Sequence, residues 1–424
     1  MKANELRPTL GWFELCLYAI GMILGAGIYS ILGKAAGIAG HALWLSFAMG
    51  AVAAALTGLS YAELATAYPK AGAEYVYIRA AAPQWPWAAT AVGIVIALAG
   101  AASAATVTLA FAGYLQVFMA SPEVLVAIGL LLVMTAINII GIQASSRINA
   151  VFTLIEVAGL LLVIALGLTR PDFGHGAFRD VSLTVLPAAA LVFFAFLGFE
   201  EIANLAEEAR NAARDVPRAI LVGVVVSTVL YILVALSATT LVAPEDLAAS
   251  ASPLADAASS VSVRLGGVLS AVALFATANT GLIALVATSR LIFGMARGRD
   301  LPPAFAKTLT KRRSPWVAGL LTFAVAAALV PLGGIELVAG LSSFAALVAF
   351  LAVNASLIVL RYRSPATPRP FRVPLSIGRF PILPALGVAA ALLLLTQFGS
   401  EVYVAGAIAL ALGIAVGRLR GVWA

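Results

Sequence analysis

The chain alternates between long apolar stretches and short polar or proline-rich connections. A helix that crosses a lipid bilayer needs roughly 20 consecutive apolar residues, and twelve stretches come close to that length or exceed it. The pattern therefore predicts an all-α polytopic membrane protein with twelve transmembrane helices. The predicted spans are residues 11–33, 40–67, 87–118, 124–141, 148–168, 186–209, 217–242, 266–296, 315–333, 335–361, 380–398 and 402–419.

The first span is interrupted by small residues near its centre. Gly25, Ala26 and Gly27 follow one another there, and Gly21 lies one turn earlier. A break at mid-membrane frees backbone groups, which is tolerated only where they line a cavity or are buried in protein. Broken helices at this depth indicate the substrate site of a transporter. The alternative is that Gly21 and Gly25 only allow a neighbouring helix to pack closely.

The sixth span has a similar interruption. Gly198 lies near its centre, and two carboxylates, Glu200 and Glu201, follow almost at once. A charged side chain at the centre of a span costs about 2.5–3.5 kcal/mol, so such a residue is expected to face a cavity or a partner. The alternative is that both carboxylates lie near the membrane interface.

The two interrupted spans are each the first of a group of five. This order predicts a single transmembrane domain, residues 1–424, built as an inverted repeat of residues 11–168 and 186–361 with two further helices in residues 380–419. A broken helix offers free N–H groups to a carboxylate and free C=O groups to an ammonium. An amino acid carries both groups and is therefore the predicted substrate.

The composition assigns the whole chain to the membrane. It is 62% hydrophobic and 11% charged, with a mean hydropathy of +1.04, which leaves no room for a separate soluble domain. One cysteine cannot form a disulfide framework, and two histidines cannot form a histidine metal cluster. We therefore expect neither a metal nor a cofactor.

The positive charges predict the orientation. With the N-terminus in the cytoplasm, 21 of the 26 Lys and Arg residues lie on the cytoplasmic side, four lie outside, and Arg290 lies within the eighth span. This bias follows the positive-inside rule and predicts a protein of the cell inner membrane with both termini cytoplasmic. The net charge of +7 then reflects orientation in the lipid bilayer rather than binding of nucleic acid.

Several motifs resemble those of the amino acid–polyamine–organocation (APC) transporters. The similar segments are residues 21–29, 61–64, 69–75, 194–200, 207–211, 215–220, 277–280 and 289–297. The resemblance covers the chain from about Gly11 to Trp423. It implies a LeuT-type fold with helices 1 and 6 broken at mid-membrane, and secondary active transport of amino acids by alternating access.

The resemblance also implies individual site residues. The substrate carboxylate would bind the amides of Gly25, Ala26 and Gly27. The amino group would bind carbonyl oxygens of the two breaks, namely those of Ile23, Phe194, Ala195 and Leu197, beside Gly198. Phe194 matches an aromatic gate, and Glu200 matches an acidic position used in gating or charge recognition. Ala26 departs from the family, since relatives often have serine there.

The coupling of transport to an ion gradient is the property that the sequence determines least. Many family members carry lysine in the fifth span where this chain has Glu156. A glutamate at this position is either a proton carrier or a structural residue. In the second case its partner is Arg147, Asn138 or Asn149. Thr277 and Thr280 make a sodium site conceivable, although such hydroxyls more often bond their own helix backbone. We expect protons to be the coupling ion, or exchange to proceed without sodium.

Other classes of function fit less well. A polyamine or other organic-cation antiporter of the same fold is the main alternative. A multi-pass enzyme would need a catalytic set, and the chain contains no H-E-x-x-H, G-x-S-x-G or P-loop motif. A channel would need a selectivity filter, which no segment resembles. The sequence therefore predicts a transporter and not an enzyme.

Overall fold

The computed structural model describes residues 10–69, 73–140, 146–179, 181–206, 209–309, 314–332 and 334–419, without the side chains of 146–150 and 204. Parts of the predicted motifs lie outside the described residues. They are residues 70–72 after the second span, Glu207 and Glu208 after the sixth, and the side chains of Arg147 and Asn149.

The described chain is built almost entirely of α-helices. They are α1 (Trp12–Leu24), α2 (Gly27–Ala39), α3 (Leu43–Ala67), α4 (Ala73–Ala81), α5 (Pro86–Leu115), α6 (Glu123–Ile140), α7 (Ser146–Leu168), α8 (Val185–Val192), α9 (Glu201–Asn204), α10 (Ala212–Leu241), α11 (Pro244–Ala249), α12 (Pro253–Ser259), α13 (Val263–Arg297), α14 (Trp316–Leu329), α15 (Ile335–Arg363), α16 (Ile382–Leu395) and α17 (Ser400–Arg418). Two short antiparallel strands, β1 (Ser376–Ile377) and β2 (Phe380–Pro381), form a hairpin between α15 and α16.

The helices confirm a polytopic all-α membrane protein. Within the described residues, nine helical segments are long and apolar enough to cross a membrane. The first of them, Trp12–Ala67, has 56 residues and contains α1, α2 and α3. Two shorter apolar helical segments, Trp316–Leu332 and Ile382–Leu395, coincide with the ninth and eleventh predicted spans.

Most helix ends lie within a few residues of the predicted span ends, but short elements were missed. The first span was predicted to end at Gly33, whereas α2 continues to Ala39. Three short helices, α4, α11 and α12, were not predicted, because a helix of six to nine residues has no long apolar run. The hairpin was not predicted either, since its strands have only two residues each. Pro244 and Pro253 begin α11 and α12, where a missing N–H costs nothing.

The two parts of the first span pack on different neighbours. Helix α1 lies against α7 and α10, whereas α2 lies against α8 and α11. Gly21 serves close packing, because a Cβ there would lie 2.0 Å from Thr153 Oγ1 on α7. For Gly21 the alternative interpretation, close approach of a neighbouring helix, therefore describes the structure.

A buried cluster of charges joins α3 to the segment after α15. The Glu63 carboxylate is fully buried and accepts hydrogen bonds from Arg361 Nε at 3.0 Å and Arg361 Nη2 at 2.5 Å. The backbone N–H of Val373 donates to Glu63 Oε2 at 2.7 Å, and Arg369 Nε lies 3.1 Å from Glu63 Oε1. One carboxylate thus holds two arginines and a loop amide against α3.

Candidate functional site

The first break lies between α1 and α2. Gly25 leaves the helical conformation at φ −2° and ψ −151°, while its N–H still donates to Gly21 O at 3.2 Å. The next amide, that of Ala26, donates to Thr280 Oγ1 on α13 at 3.0 Å. The Thr280 hydroxyl therefore accepts a hydrogen bond from the same amide that was predicted to bind the substrate carboxylate. Rotation of the Thr280 side chain would free the Ala26 amide for another acceptor.

The second break follows α8. A 3₁₀ turn at Phe193–Phe196 leads to Leu197 in an extended conformation, and Gly198 then has φ +122°. Only glycine adopts this φ without strain. The Gly198 N–H donates to Glu200 Oε2 at 2.8 Å, so this carboxylate caps the break. The Phe194 carbonyl accepts from the Leu197 N–H at 3.3 Å.

The two breaks meet through their backbones. A Cβ at Gly27 would lie 2.6 Å from Ala195 Cα, and a Cβ at Gly198 would lie 2.6 Å from the carbonyl oxygen of Met22. Real Cβ atoms do not approach other atoms so closely. Glycine is required at both positions because the α1–α2 break and the α8–α9 break pack directly on each other.

Tyr231 on α10 connects the breaks, and it is not among the residues predicted from the sequence. Its hydroxyl lies 2.5 Å from Ile23 O and 2.8 Å from Ala195 O, so one proton is shared between two carbonyl oxygens. Both oxygens belong to the set predicted to bind a substrate amino group. The rings of Phe47 and Phe196 pack on Tyr231 with centroids 5.4 and 5.2 Å away.

A signal for Tyr231 did exist in the sequence. It is one tyrosine in the middle of an apolar span, and a buried tyrosine hydroxyl needs a hydrogen-bond partner. The pattern did not indicate which partner, because the two acceptors lie 208 and 36 residues away along the chain.

Glu156 is buried close to this bridge. Its side chain is 1% exposed, and within the described residues Oε1 has no hydrogen-bond partner. Its carboxylate interacts electrostatically with the hydroxyls of Tyr29 and Tyr231. Asn138, one of the partners considered from the sequence, instead donates to Ser289 Oγ at 3.1 Å. The Tyr29 hydroxyl donates to the backbone carbonyl oxygen of Glu156 at 3.2 Å, and Asn138 does not contact the Glu156 carboxylate.

Thr277 does not face an open site. Its hydroxyl donates to Ala273 O at 2.7 Å, a bond within its own helix turn. Thr280, one turn later, is the residue that contacts the first break. Among the described residues no group of three or more His, Cys, Asp and Glu side chains is placed to hold a metal ion.

A carboxylate of α4 binds Tyr61 of α3, and the Tyr61 ring packs on Phe199 of the second break with centroids 5.8 Å apart. Glu74 accepts a hydrogen bond from the Tyr61 hydroxyl at 2.8 Å. Burial, and after it the charge of Glu201, raise the pKa of Glu74 from 4.5 to about 7. Ionisation of Glu74 therefore disfavours the folded state above pH 4.5, and the cost reaches its full size above pH 7.

One open cavity lies away from the breaks. A cavity of about 340 Å³ is lined by His41, Asp172, His175 and Arg179, and none of the predicted site residues borders it. The predicted residues Ile23, Ala26, Phe194 and Ala195 are instead buried in the core. The candidate site is thus a closed junction of two broken helices.

Comparisons with known proteins assign the chain to a family. A sequence model described as amino acid permease matches residues 10–414. A branched-chain amino acid permease of Bacillus subtilis is 29% identical over 93% of this chain and 89% of its own length. A methylthioribose transporter of the same organism is 30% identical over 92% of this chain and 88% of its own length.

A second group of relatives is also similar. Cationic amino acid transporter 4 of Mus musculus is 31% identical over 86% of this chain and 61% of its own length. These relatives are named as transporters and permeases, not enzymes. The match of a permease model to almost the whole chain confirms the resemblance that the helix 1 and helix 6 motifs indicated: the chain belongs to the amino acid permease family, within the APC transporters.

Proposed function

We propose that this protein is a secondary active transporter that moves amino acids across the cytoplasmic membrane by alternating access. The observation that carries the proposal is the junction of the two breaks. The backbone carbonyl oxygens of Ile23 and Ala195 converge there on a single hydroxyl, that of Tyr231. Such carbonyls suit an ammonium, and the adjacent helix N-terminus of α2 suits a carboxylate.

The proposed topology is a LeuT-type arrangement of twelve helices. Counting Trp12–Ala67 as two crossings, and adding the two shorter apolar helical segments, gives twelve. Residues 11–168 and 186–361 would form the inverted repeat, and residues 380–419 the two additional helices. The distribution of Lys and Arg supports cytoplasmic termini and location in the inner membrane.

The substrate would lie between the breaks. Its carboxylate would take the amides around Gly25, Ala26 and Gly27, displacing the Thr280 hydroxyl from Ala26. Its amino group would take the carbonyls of Ile23, Phe194, Ala195 and Leu197 in place of the Tyr231 hydroxyl. Phe194, which is 4% exposed, would close over the bound molecule. Hydrogen bonds that hold the empty site closed would thus be exchanged for bonds to the substrate.

A polyamine or organic-cation antiporter is the second candidate. It is favoured by the carboxylates of Glu74, Glu200 and Glu201, which interact electrostatically with one another. Purified protein in liposomes distinguishes the candidates when radiolabelled amino acids and polyamines are offered singly. We expect saturable uptake and counterflow of an amino acid. Uptake of polyamines alone contradicts the proposal, and flux that does not saturate indicates a channel.

The substrate charge gives a prediction for Glu200. Its carboxylate accepts from the Gly198 N–H at 2.8 Å and therefore lies at the break, where a substrate would bind. Glutamine keeps the acceptor and removes the charge, so Glu200→Gln is expected to weaken lysine and arginine uptake about tenfold and to spare alanine. The exposed Glu245→Gln is the control. An equal loss for every substrate would indicate gating or proton transfer instead.

Glu156 gives a prediction for coupling. Proteoliposomes with an acid-outside gradient and no sodium are expected to accumulate substrate, because a buried carboxyl beside the Tyr231 bridge can carry the proton. Glu156→Gln should flatten the dependence of uptake on external pH. Glu74→Gln is the necessary control, since its pKa of about 7 alone can produce a pH dependence near neutrality. Strict dependence on sodium contradicts this role.

Tyr231 gives a third prediction. Tyr231→Phe leaves the carbonyls of Ile23 and Ala195 without their donor, which costs about 1–3 kcal/mol. Transport is expected to fall about 10-fold to 100-fold. Tyr114→Phe is a matched control, because the Tyr114 hydroxyl also donates to a buried carbonyl, that of Tyr29, at 3.1 Å. A similar loss of transport in both variants would show that stability alone is affected.

A further inference from the structure

The hairpin between α15 and α16 has an exposed apolar surface. Strands β1 and β2 are joined by a two-residue turn in which Gly378 has φ +61°. Leu375 is 64% exposed, Ile377 is 73% exposed and Phe380 is 39% exposed. Within the described part of the chain, these three large apolar side chains, which lie within six residues, are not covered by any other element.

The same segment is basic. Residues 364–381 contain three arginines and no aspartate or glutamate. Arg369 is engaged with Glu63, whereas Arg372 and Arg379 are exposed beside the apolar side chains. Apolar and aromatic residues next to arginines are typical of segments that lie in the headgroup region of a membrane.

The position of the hairpin places it at a membrane surface. It follows α15, an apolar helix long enough to span the bilayer, and it continues after Pro381 directly into the apolar helix α16. We propose that the hairpin, residues 375–380, and Arg372 just before it form a binding site for anionic phospholipid. Leu375, Ile377 and Phe380 enter the acyl boundary, and Arg372 and Arg379 bind the phosphate groups.

The hairpin is connected to the transmembrane core. Arg361 Nη1 donates to Ser376 Oγ on β1 at 2.6 Å, while the same guanidinium pairs with Glu63 on α3. The Val373 amide, three residues before β1, also binds Glu63. Lipid bound at the hairpin therefore stabilises the contact between α3 and α15. A loop without hydrogen bonds to Arg361 and Glu63 would lack this connection to the helices.

The test is a measurement of depth in the full-length protein. Cys16 is the single cysteine and is 5% exposed, so a spin label attached to Ile377→Cys reports from the hairpin. Collisions with oxygen and with a water-soluble nickel chelate are compared in bilayers with increasing phosphatidylglycerol. We expect the label to move towards the oxygen-rich phase as phosphatidylglycerol rises. A label at the exposed Ala366→Cys should stay in water.

Charge variants test the arginines. Arg372→Gln with Arg379→Gln is expected to reduce the ratio of bound to free hairpin about fivefold per arginine. Arg170→Gln with Arg264→Gln removes two exposed charges elsewhere and should change nothing. Equal nickel access at positions 377 and 366 in all bilayers overturns the proposal, as does a response that survives the hairpin variants. Protection of the label in detergent also overturns it and indicates a second protein copy. No readout depends on transport.

Discussion

Gly27→Val is expected to lower amino acid uptake at least 100-fold. Its Cβ would lie 2.6 Å from Ala195 Cα and 3.1 Å from Ala195 Cβ, so the added side chain meets backbone that cannot move aside. The Ala195 carbonyl is also held by Tyr231. A valine would separate the two breaks and fill the space that a substrate backbone needs. Initial uptake rates, normalised to the amount of protein in the membrane, measure the effect.

Two other glycines provide the controls. A Cβ at Gly129 on α6 has no atom within 4 Å, so Gly129→Val should transport normally. At Gly25 the Cβ would lie 2.6 Å from Thr280 Oγ1, and Thr280→Ala should therefore restore part of the activity lost in Gly25→Val. Size-exclusion profiles distinguish a misfolded variant from an inactive one. Near-normal uptake by a monodisperse Gly27→Val protein contradicts the proposed site.

Glu63→Ala is expected to cause the largest loss of stability, about 3–5 kcal/mol. The variant leaves the guanidinium of Arg361 buried without a counter-charge and leaves the Val373 amide without its acceptor. Arg369 loses the same partner. A large fall in the thermal midpoint in detergent, with loss of yield from the membrane fraction, measures this effect.

The paired replacement distinguishes charge from packing. Glu63→Met combined with Arg361→Met removes both charges and keeps apolar volume, and replacing a buried ion pair in this way is often close to neutral. We expect the double variant to be more stable than Glu63→Ala. If both proteins lose equal stability, the cluster acts through shape and hydrogen bonds to the loop rather than through charge compensation.

The positions of the interruptions could be predicted from the sequence. Three glycines, Gly25, Gly27 and Gly198, lie within apolar runs, although glycine is unfavourable inside a helix. The structure interrupts the helices at these positions. Membrane crossing was equally predictable, since a bilayer demands long apolar runs whatever the neighbours are. The alternative interpretation for Gly21 was also available, and packing against Thr153 makes it the correct one.

Only the tertiary structure determined which atoms each glycine contacts. The same residue type serves helix packing at Gly21 and a backbone junction at Gly27, and no local pattern distinguishes them. Glu200 illustrates the same limit. Its placement beside Gly198 was visible, but its hydrogen bond to the Gly198 amide depends on the conformation of the turn.

The sequence by itself determined the polytopic all-α membrane class and the positions of the two breaks, because apolar length and glycine conformational freedom are local properties. Only the tertiary structure brought Tyr231 to the carbonyls of Ile23 and Ala195, and Arg361 to Glu63. Glu63 and Arg361 are 298 residues apart along the chain, so their meeting depends on how α3 and α15 pack. A buried polar group needs a partner, yet its own sequence neighbourhood does not name that partner.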